Sequence, residues 1–71
     1  MTKKEYINKR FDAGRTICRA GKRYIIKYAP TNAGVSREVI DFMDFPQIVK
    51  KEIITRQTAV SQLLRNFSQI Q

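Results

Sequence analysis

Histidine and tryptophan are absent from this 71-residue chain, and it has one cysteine. A single Cys cannot form an intrachain disulfide, and without His the common Cys/His zinc sites are excluded. The lack of His also removes the usual general base of hydrolytic enzymes. We therefore expect no enzymatic activity, no metal and no cofactor, and we expect Cys18 to be a small buried apolar residue.

Long apolar runs and acidic residues are also scarce. No apolar run approaches the roughly 20 residues that span a membrane, and the amino terminus lacks the apolar segment of a signal peptide. We expect one small cytoplasmic domain over residues 1–71, without membrane contact. Six Asp and Glu accompany 14 Lys and Arg, and the formal charge is +8. A polyanion or an acidic protein surface is therefore the expected partner.

The segment from Gly14 to Phe42 has the composition of paired strands. Val, Ile, Tyr, Thr and Phe are concentrated in three runs, GRTICRAG, KRYIIKYA and SREVIDF. Turn-forming residues separate these runs at residues 19–21 (RAG) and 30–34 (PTNAG). This pattern predicts a three-stranded antiparallel sheet.

The predicted turns decide which side chains share a face of that sheet. A three-residue loop with Gly21 in the left-handed conformation pairs Cys18 with Lys22. A loop over residues 30–34 opposes Ala29 with Val35, so residues of the same parity share a face. The even face is the expected core side: Thr16, Cys18, Tyr24, Ile26, Tyr28, Ile40 and Phe42. The odd face is the expected nucleic-acid-binding surface: Arg15, Arg19, Arg23, Lys27 and Arg37.

This odd face would carry an unfavourable cross-strand pair, since Lys27 lies opposite Arg37 in the predicted register. A bound polyanion would relieve the repulsion. Arginine also suits bidentate contacts with phosphate and guanine. We therefore expect a small nucleic-acid-binding protein that favours DNA over RNA, with an ordinary solvated basic face as the alternative.

A short amino-terminal helix is predicted over residues 2–11 (TKKEYINKRF). Thr2 and Glu5 have the spacing of a capping box, and Gly14 suits the turn beyond a helix end. Because ten residues do not form a stable helix alone, its apolar side must pack on another element. That apolar side consists of Tyr6, Ile7 and Phe11.

A long carboxy-terminal helix is predicted over residues 46–68. Pro46 suits a first helical position, and residues 47–70 contain no Gly or Pro. A break near Thr55, which would then cap a second helix, is the alternative. The expected fold class is α+β, with a short amino-terminal helix, a three-stranded antiparallel sheet and a long carboxy-terminal helix packed on one sheet face. The far end of that helix is expected to be covered by residues 2–11, or by a second copy in a homodimer: Val60, Leu63, Leu64 and Phe67.

Residues 14–54 carry a resemblance to a known family. In KRYIIKYAPTNAGVSREVIDFMDFPQIVKKEI an aromatic opens the second strand, a Pro-x-x-x-Gly turn follows, and a Phe-x-Asp-x-Pro step leads to the helix. This order resembles the arm-type DNA-binding domains of tyrosine integrases and the related plant ethylene-response-type domains. The resemblance implies a sheet laid in the major groove, with its outer face meeting bases and phosphates. It assigns that role to the same five residues of the odd face.

Three other interpretations remain open at this point. Residues 55–65 (TRQTAVSQLLR) look like the recognition helix of a helix-turn-helix repressor, although Ile54 stands where the turn glycine is expected. The order α-β-β-β-α equals that of double-stranded RNA-binding domains. A phage or mobile-element inhibitor, of the anti-CRISPR or anti-restriction type, could use the basic face to block an acidic or nucleic-acid-binding host protein. The groove-facing residues of the repressor interpretation are Gln57, Thr58, Ser61, Gln62 and Arg65.

Overall fold

The computed structural model describes residues 1–70 as two helices packed on one face of a four-stranded antiparallel sheet. The strands follow one another across the sheet in the order β1-β2-β3-β4. The α+β class is confirmed, but the sheet has four strands rather than three. The elements are α1 (Lys3–Asp12), β1 (Ile17–Ala20), β2 (Tyr24–Thr31), β3 (Gly34–Asp41), β4 (Gln47–Ile54) and α2 (Arg56–Arg65), followed by a 3-10 turn (Phe67–Gln69).

Helix α1 begins and ends where its local sequence predicts. The Thr2 hydroxyl accepts a hydrogen bond from the backbone N–H of Glu5 at 3.1 Å, which satisfies one of the unpaired donors of the first turn. Gly14 follows the helix with φ +73°, a conformation that glycine adopts without a steric penalty. Its N–H bonds to the carbonyl of Phe11 at 2.9 Å. The amino-terminal helix is thus confirmed.

The predicted helix over residues 46–68 is wrong in its first half. Residues 47–54 (QIVKKEII) form β4, which pairs with β3 except at a register shift that leaves Val49 without a partner in β3. Four of these eight residues are Ile or Val, whose branched Cβ favours a strand over a helix. The alternative with a break near Thr55 is correct only in its second helix, since the Thr55 hydroxyl caps α2 by accepting from the N–H of Thr58 at 3.1 Å.

The predicted register between β1 and β2 is also wrong. Ile17 lies opposite Tyr28 and Ala20 opposite Ile25, so odd residues of β1 share a face with even residues of β2. The prediction placed Gly21 in the left-handed conformation, but the only positive φ values in residues 1–70 belong to Gly14 and Gly34. Residues 21–23 form the loop instead, and in it the N–H of Gly21 bonds to the carbonyl of Tyr24 at 2.8 Å.

The loop between β2 and β3 is shorter than the predicted residues 30–34. Thr31 lies opposite Gly34, and only Asn32 and Ala33 connect them. Pro30 therefore belongs to β2, which is an inner strand of the sheet. A proline is tolerated here because β1 pairs with β2 only as far as Tyr28, so the missing N–H of Pro30 faces no β1 partner.

The core lies between the two helices and one end of the sheet. Its buried side chains come from both helices and from the first three strands: Ile7, Phe11, Ile17, Tyr28, Val35, Ala59, Val60 and Leu63. Val60 and Leu63, expected to be covered by residues 2–11 or by a second copy, are buried beside Ile7 and Phe11 of the same chain.

The predicted even core face is only partly correct. Tyr28 and Ile26 face the helices, whereas Ile40 lies on the other face, opposite Ile25. Cys18 is partly exposed and lies opposite Lys27, so it is not a core residue. The cause is the shifted register, which moves the odd residues of β1 and β3 onto the helix side.

Candidate nucleic-acid interface

The helix side of the sheet continues beyond the helices, and there it forms a basic hollow of about 340 Å³. We call this surface the β1 hollow. Four cationic side chains line it, and none of the eight lining residues, all within the described 1–70, is acidic. They are Arg19, Gly21, Lys22, Arg23, Tyr24, Ile26, Arg37 and Val39.

Arg23 is held at the rim of the β1 hollow by Asp41, the last residue of β3. Its Nη2 lies 3.0 Å from Oδ2 of Asp41, and its Nε donates to the same oxygen at 3.2 Å. The Asp41 carboxylate also accepts from the backbone N–H of Met43 at 2.9 Å. The Met43 N–H and then Arg23 lower the pKa of Asp41, and Asp41 raises the pKa of Arg23. Both groups are therefore charged at neutral pH.

Arg37 forms the floor of the β1 hollow and has a structural role. Its Nη1 pairs with Oε1 of Glu52 at 3.1 Å, and its Nε donates to the Tyr28 hydroxyl at 3.4 Å. That hydroxyl in turn donates to Oε1 of Gln62 at 2.8 Å. Because the Arg37 side chain is only 17% exposed, this chain of bonds mainly connects β2, β3, β4 and α2.

Arg19 lies between the β1 hollow and the carboxy-terminal segment. Its Nε donates to Oε1 of Gln69 at 2.9 Å, and its backbone pairs with Ile70 in an antiparallel bridge. No carboxylate lies within ion-pair distance of Arg19 or Lys22 in residues 1–70. Neither of these two cations is therefore neutralised by an ion pair within the described residues.

A second basic hollow, of about 480 Å³, lies along α1, and we call it the α1 hollow. Arg10 supports it, since its Nη2 donates to the carbonyl of Thr16 at 3.2 Å and its Nη1 to the Tyr6 hydroxyl at 3.0 Å. Arg19 follows Arg15 by four positions, which is at most about 14 Å of chain, so the two hollows are neighbours. The lining residues are Met1, Tyr6, Lys9, Arg10, Ala13 and Arg15.

The five residues predicted from strand parity are therefore divided among three places. Arg19, Arg23 and Arg37 meet in the β1 hollow, and Arg15 lies in the α1 hollow. Lys27 lies on the opposite face of the sheet, between Cys18 and Glu38 in the strand register. The predicted repulsion between Lys27 and Arg37 is absent because Arg37 lies opposite Tyr28.

Three basic residues of the two hollows are not among the five predicted site residues. Lys22 was assigned to a strand pair with Cys18, whereas it lies in the loop that borders the β1 hollow. Lys9 and Arg10 lie in the last turn of α1, beside Arg15. The run of basic residues on both sides of Gly14 was the available signal, but only the fold brings it next to β1.

The repressor interpretation of α2 is not matched by the elements around it. A helix-turn-helix unit needs a helix before its recognition helix, and here the preceding element is β4. Gln62 is also engaged with the Tyr28 hydroxyl. The order of elements likewise has one strand more than the α-β-β-β-α order considered from the sequence.

Comparisons of the chain with protein-family models, with curated proteins and with solved structures found no match. The site is therefore interpreted from its own residues. Within residues 1–70, no helix is long and apolar enough to cross a membrane, and no group of three or more His, Cys, Asp or Glu is positioned to hold a metal ion.

Exposed apolar side chains are concentrated in β4 and in the loop that precedes it. The loop between β3 and β4 exposes Met43 by 68% and Phe45 by 64%. In β4, Ile48, Val49 and Ile53 are each more than half exposed. Contiguous exposed apolar residues of this size mark interaction surfaces more often than ordinary protein exterior.

Proposed function

We propose that the protein binds nucleic acid through the β1 hollow and the α1 hollow together. The observation that carries this proposal is the segregation of charge, because the two hollows are lined by seven of the 14 basic residues and by no acidic residue in the part of the chain described. A polyanion is the ligand class that such a surface attracts most strongly. DNA is the preferred form, as expected from the sequence.

Five of the seven cations have no carboxylate partner within residues 1–70 and are the ones proposed to meet phosphates. Arg23 and Arg37 already have Asp41 and Glu52, so they shape the surface and add less net charge. Tyr24 is 40% exposed at the rim, with the Arg23 guanidinium 5.5 Å from its ring centre, and offers an aromatic face beside the cations. The five proposed phosphate contacts are Lys9, Arg10, Arg15, Arg19 and Lys22.

The decisive measurement is the salt dependence of binding to a short DNA duplex. Five phosphate contacts predict that the logarithm of the association constant falls with the logarithm of salt concentration with a slope of about −4.5. The variant Arg15→Ala/Lys22→Ala removes one cation from each hollow, and neither side chain makes a hydrogen bond or ion pair within residues 1–70. Its slope should decrease in magnitude by about 2.

The matched control is Lys4→Ala/Arg65→Ala, which removes the same two charges outside both hollows. It should lower the affinity for DNA modestly by reducing the net positive charge. The slope of the salt dependence should stay within about half a unit of the value for the original chain. Equal slopes for the two double variants would refute the assignment to the hollows. Absence of binding to duplex or single strand at about 50 mM salt would refute nucleic-acid binding itself.

A protein partner is the second candidate function, and the exposed Met43 and Phe45 favour it. Aromatic residues and Met are enriched in the centres of protein interfaces, and a loop places both side chains in solvent here. This candidate corresponds to the inhibitor of a host protein that the sequence left open. It predicts a stoichiometric complex that Met43→Ser/Phe45→Ser abolishes, while the salt slope for DNA stays unchanged.

A further inference from the structure

We propose that β4 is a dimerisation strand, and that two copies of the chain pair through it into one continuous eight-stranded sheet. The two-fold axis passes between the Lys51 residues of the two copies, which lie opposite each other. The residues of β4 line neither hollow, although Glu52 pairs with Arg37 of the β1 hollow. The proposal does not depend on nucleic-acid binding.

The first observation is that β4 has a free backbone edge. It is the last strand of the sheet and pairs only with β3 within residues 1–70. None of the loop and cap backbone hydrogen bonds involves a residue of β4. The outward N–H and C=O groups of this eight-residue strand form a template for another strand.

The second observation is the burial pattern of β4. Six of its eight residues are exposed, although half of them are Ile or Val. Ile48, Val49 and Ile53 are 57%, 51% and 53% exposed. An edge that is long, apolar and open is one that proteins ordinarily cover.

The third observation identifies a second copy as the occupant, because the charges of β4 complement themselves. When two β4 strands run antiparallel about Lys51, Lys50 of each copy lies opposite Glu52 of the other. Val49 then lies opposite Ile53. Lys50 and Glu52 both face the helix side of the sheet, opposite Val39 and Arg37 of β3, so the two copies keep their helices on the same side.

Other antiparallel registers that keep the helices of both copies on the same side do not set Lys50 opposite Glu52. Centring on Lys50 sets two Lys50 side chains against each other, and centring on Glu52 does the same for two Glu52 side chains. The chosen register also brings two Lys51 side chains together on the outer face. Each of them has Glu38 of its own chain as its cross-strand neighbour, which offsets the repulsion.

The rest of the fold limits the assembly to a closed dimer. The other edge strand, β1, pairs with Ile70 at Arg19 and lies under α1, so it offers no second site. The strand order places β1 three strands away from β4, about 14 Å, so the basic hollows lie outermost in the dimer. One free edge per chain gives a two-fold dimer rather than a filament.

The test uses two charge variants of the full chain, alone and mixed, in sedimentation velocity over a range of concentrations. In a dimer of the Lys50→Glu variant, two carboxylates face each other at both cross-strand pairs. In a dimer of the Glu52→Lys variant, two ammonium groups do so. Each variant alone should dimerise at least about tenfold more weakly than the original chain. An equimolar mixture restores an opposite-charge arrangement across the interface and should form a heterodimer more readily than either variant dimerises alone.

Lys4→Glu is the matched control, since it makes the same charge change on α1 rather than on β4 and should leave dimerisation unchanged. Glu52→Lys also removes the partner of half-buried Arg37, so circular dichroism must show that it folds. If it does not fold, the comparison of dimerisation between Lys50→Glu and Lys4→Glu still tests the proposal. Hydrogen exchange of the β4 amides in the original chain provides a further test, since it should slow as protein concentration rises.

A chain that stays monomeric at millimolar concentration would overturn the proposal. So would a dimer that Lys50→Glu does not weaken, or one whose β4 amides exchange as fast as in the monomer. In either of these last cases the copies would meet through another surface.

Discussion

The two edge strands of the sheet have opposite surroundings. β1 has four residues, its Ile17 is fully buried, and α1 and Ile70 lie against it. β4 has eight residues, six of them exposed, and no element covers its outer edge in residues 1–70. The β1 hollow extends from β1 to Arg37 and Val39 of β3, whereas Ile48, Val49 and Ile53 of β4 are exposed outside it.

This difference arises because the two helices cover only part of the sheet. The two helices together have 20 residues, and they cover only the end of the sheet where Ile17, Tyr28 and Val35 meet. The rest of the sheet remains in solvent, as expected when a chain of this length buries a limited part of its surface. The β1 edge is thus covered by other elements of the chain, and the β4 edge is left exposed.

The largest expected difference in stability is between Ile→Ala substitutions in the two edge strands. Ile17→Ala removes fully buried atoms and should lower the free energy of unfolding by about 2–5 kcal/mol. Ile53→Ala, at a residue 53% exposed, should change it by less than about 0.5 kcal/mol in dilute solution. Urea denaturation monitored by circular dichroism measures both.

Because Ile17→Ala could unfold the chain entirely, Ile17→Val provides a milder test with an expected loss of about 0.5–1.5 kcal/mol. Similar losses in the free energy of unfolding for substitutions at Ile17 and Ile53 would show that β1 and β4 are equally buried. That result would contradict the difference described between the two edge strands.

A second comparison uses the two glycines with positive φ. Gly34 begins β3 with φ +131°, and a Cβ there would collide with the backbone carbonyl oxygen of Ile54 in β4. Gly14 leads into β1 with φ +73°, and a Cβ there would meet no atom within 4 Å. We expect Gly34→Ala to cost about 3 kcal/mol and Gly14→Ala about 1 kcal/mol, since only the first adds a collision to the strain. Thermal or urea unfolding of both variants, compared side by side, tests this order.

The smallest expected effect is a pH dependence at Asp41, which joins the two sides by holding Arg23 near β1 while lying opposite Gln47 of β4. The Met43 N–H and Arg23 lower its pKa below the ordinary value of 3.8. A carboxyl whose pKa is lower in the folded state stabilises the fold above its unfolded pKa, near pH 4, and loses that contribution as pH falls through the folded value.

The difference in free energy of unfolding between the original chain and Asp41→Asn should therefore be constant above about pH 5 and shrink below about pH 4. Urea titrations between pH 2 and pH 7 measure it. A difference that stays the same across that whole range would mean that the contacts of Asp41 do not affect its protonation.

Local sequence was sufficient for features that depend on neighbours along the chain. The cap of α1 at Thr2, the left-handed Gly14 and the cap of α2 at Thr55 depend on residues within about one turn. The composition of β2 and β3 also identified them as strands, since branched and aromatic side chains favour extended backbone.

The candidate site was predicted only in part, because its faces depend on register. A five-residue shift in the pairing of β1 and a shorter loop before Gly34 moved the odd residues of β1 and β3 to the helix side. Arg19, Arg23 and Arg37 still meet, but through that new register, and Lys27 moves to the other face. One signal against the predicted register was available: it sets Lys27 opposite Arg37, whereas the observed register sets Lys27 opposite Glu38.

The sequence by itself determined the charge, the α+β class, the helix caps and the strand character of residues 24–29 and 36–41. The tertiary structure decided the rest. Residues 47–54 have an apolar spacing that suits a helix and a branched composition that suits a strand, and the unpaired edge of β3 favoured the strand. Local preferences differ by a fraction of a kcal/mol per residue, so pairing with β3 outweighs them.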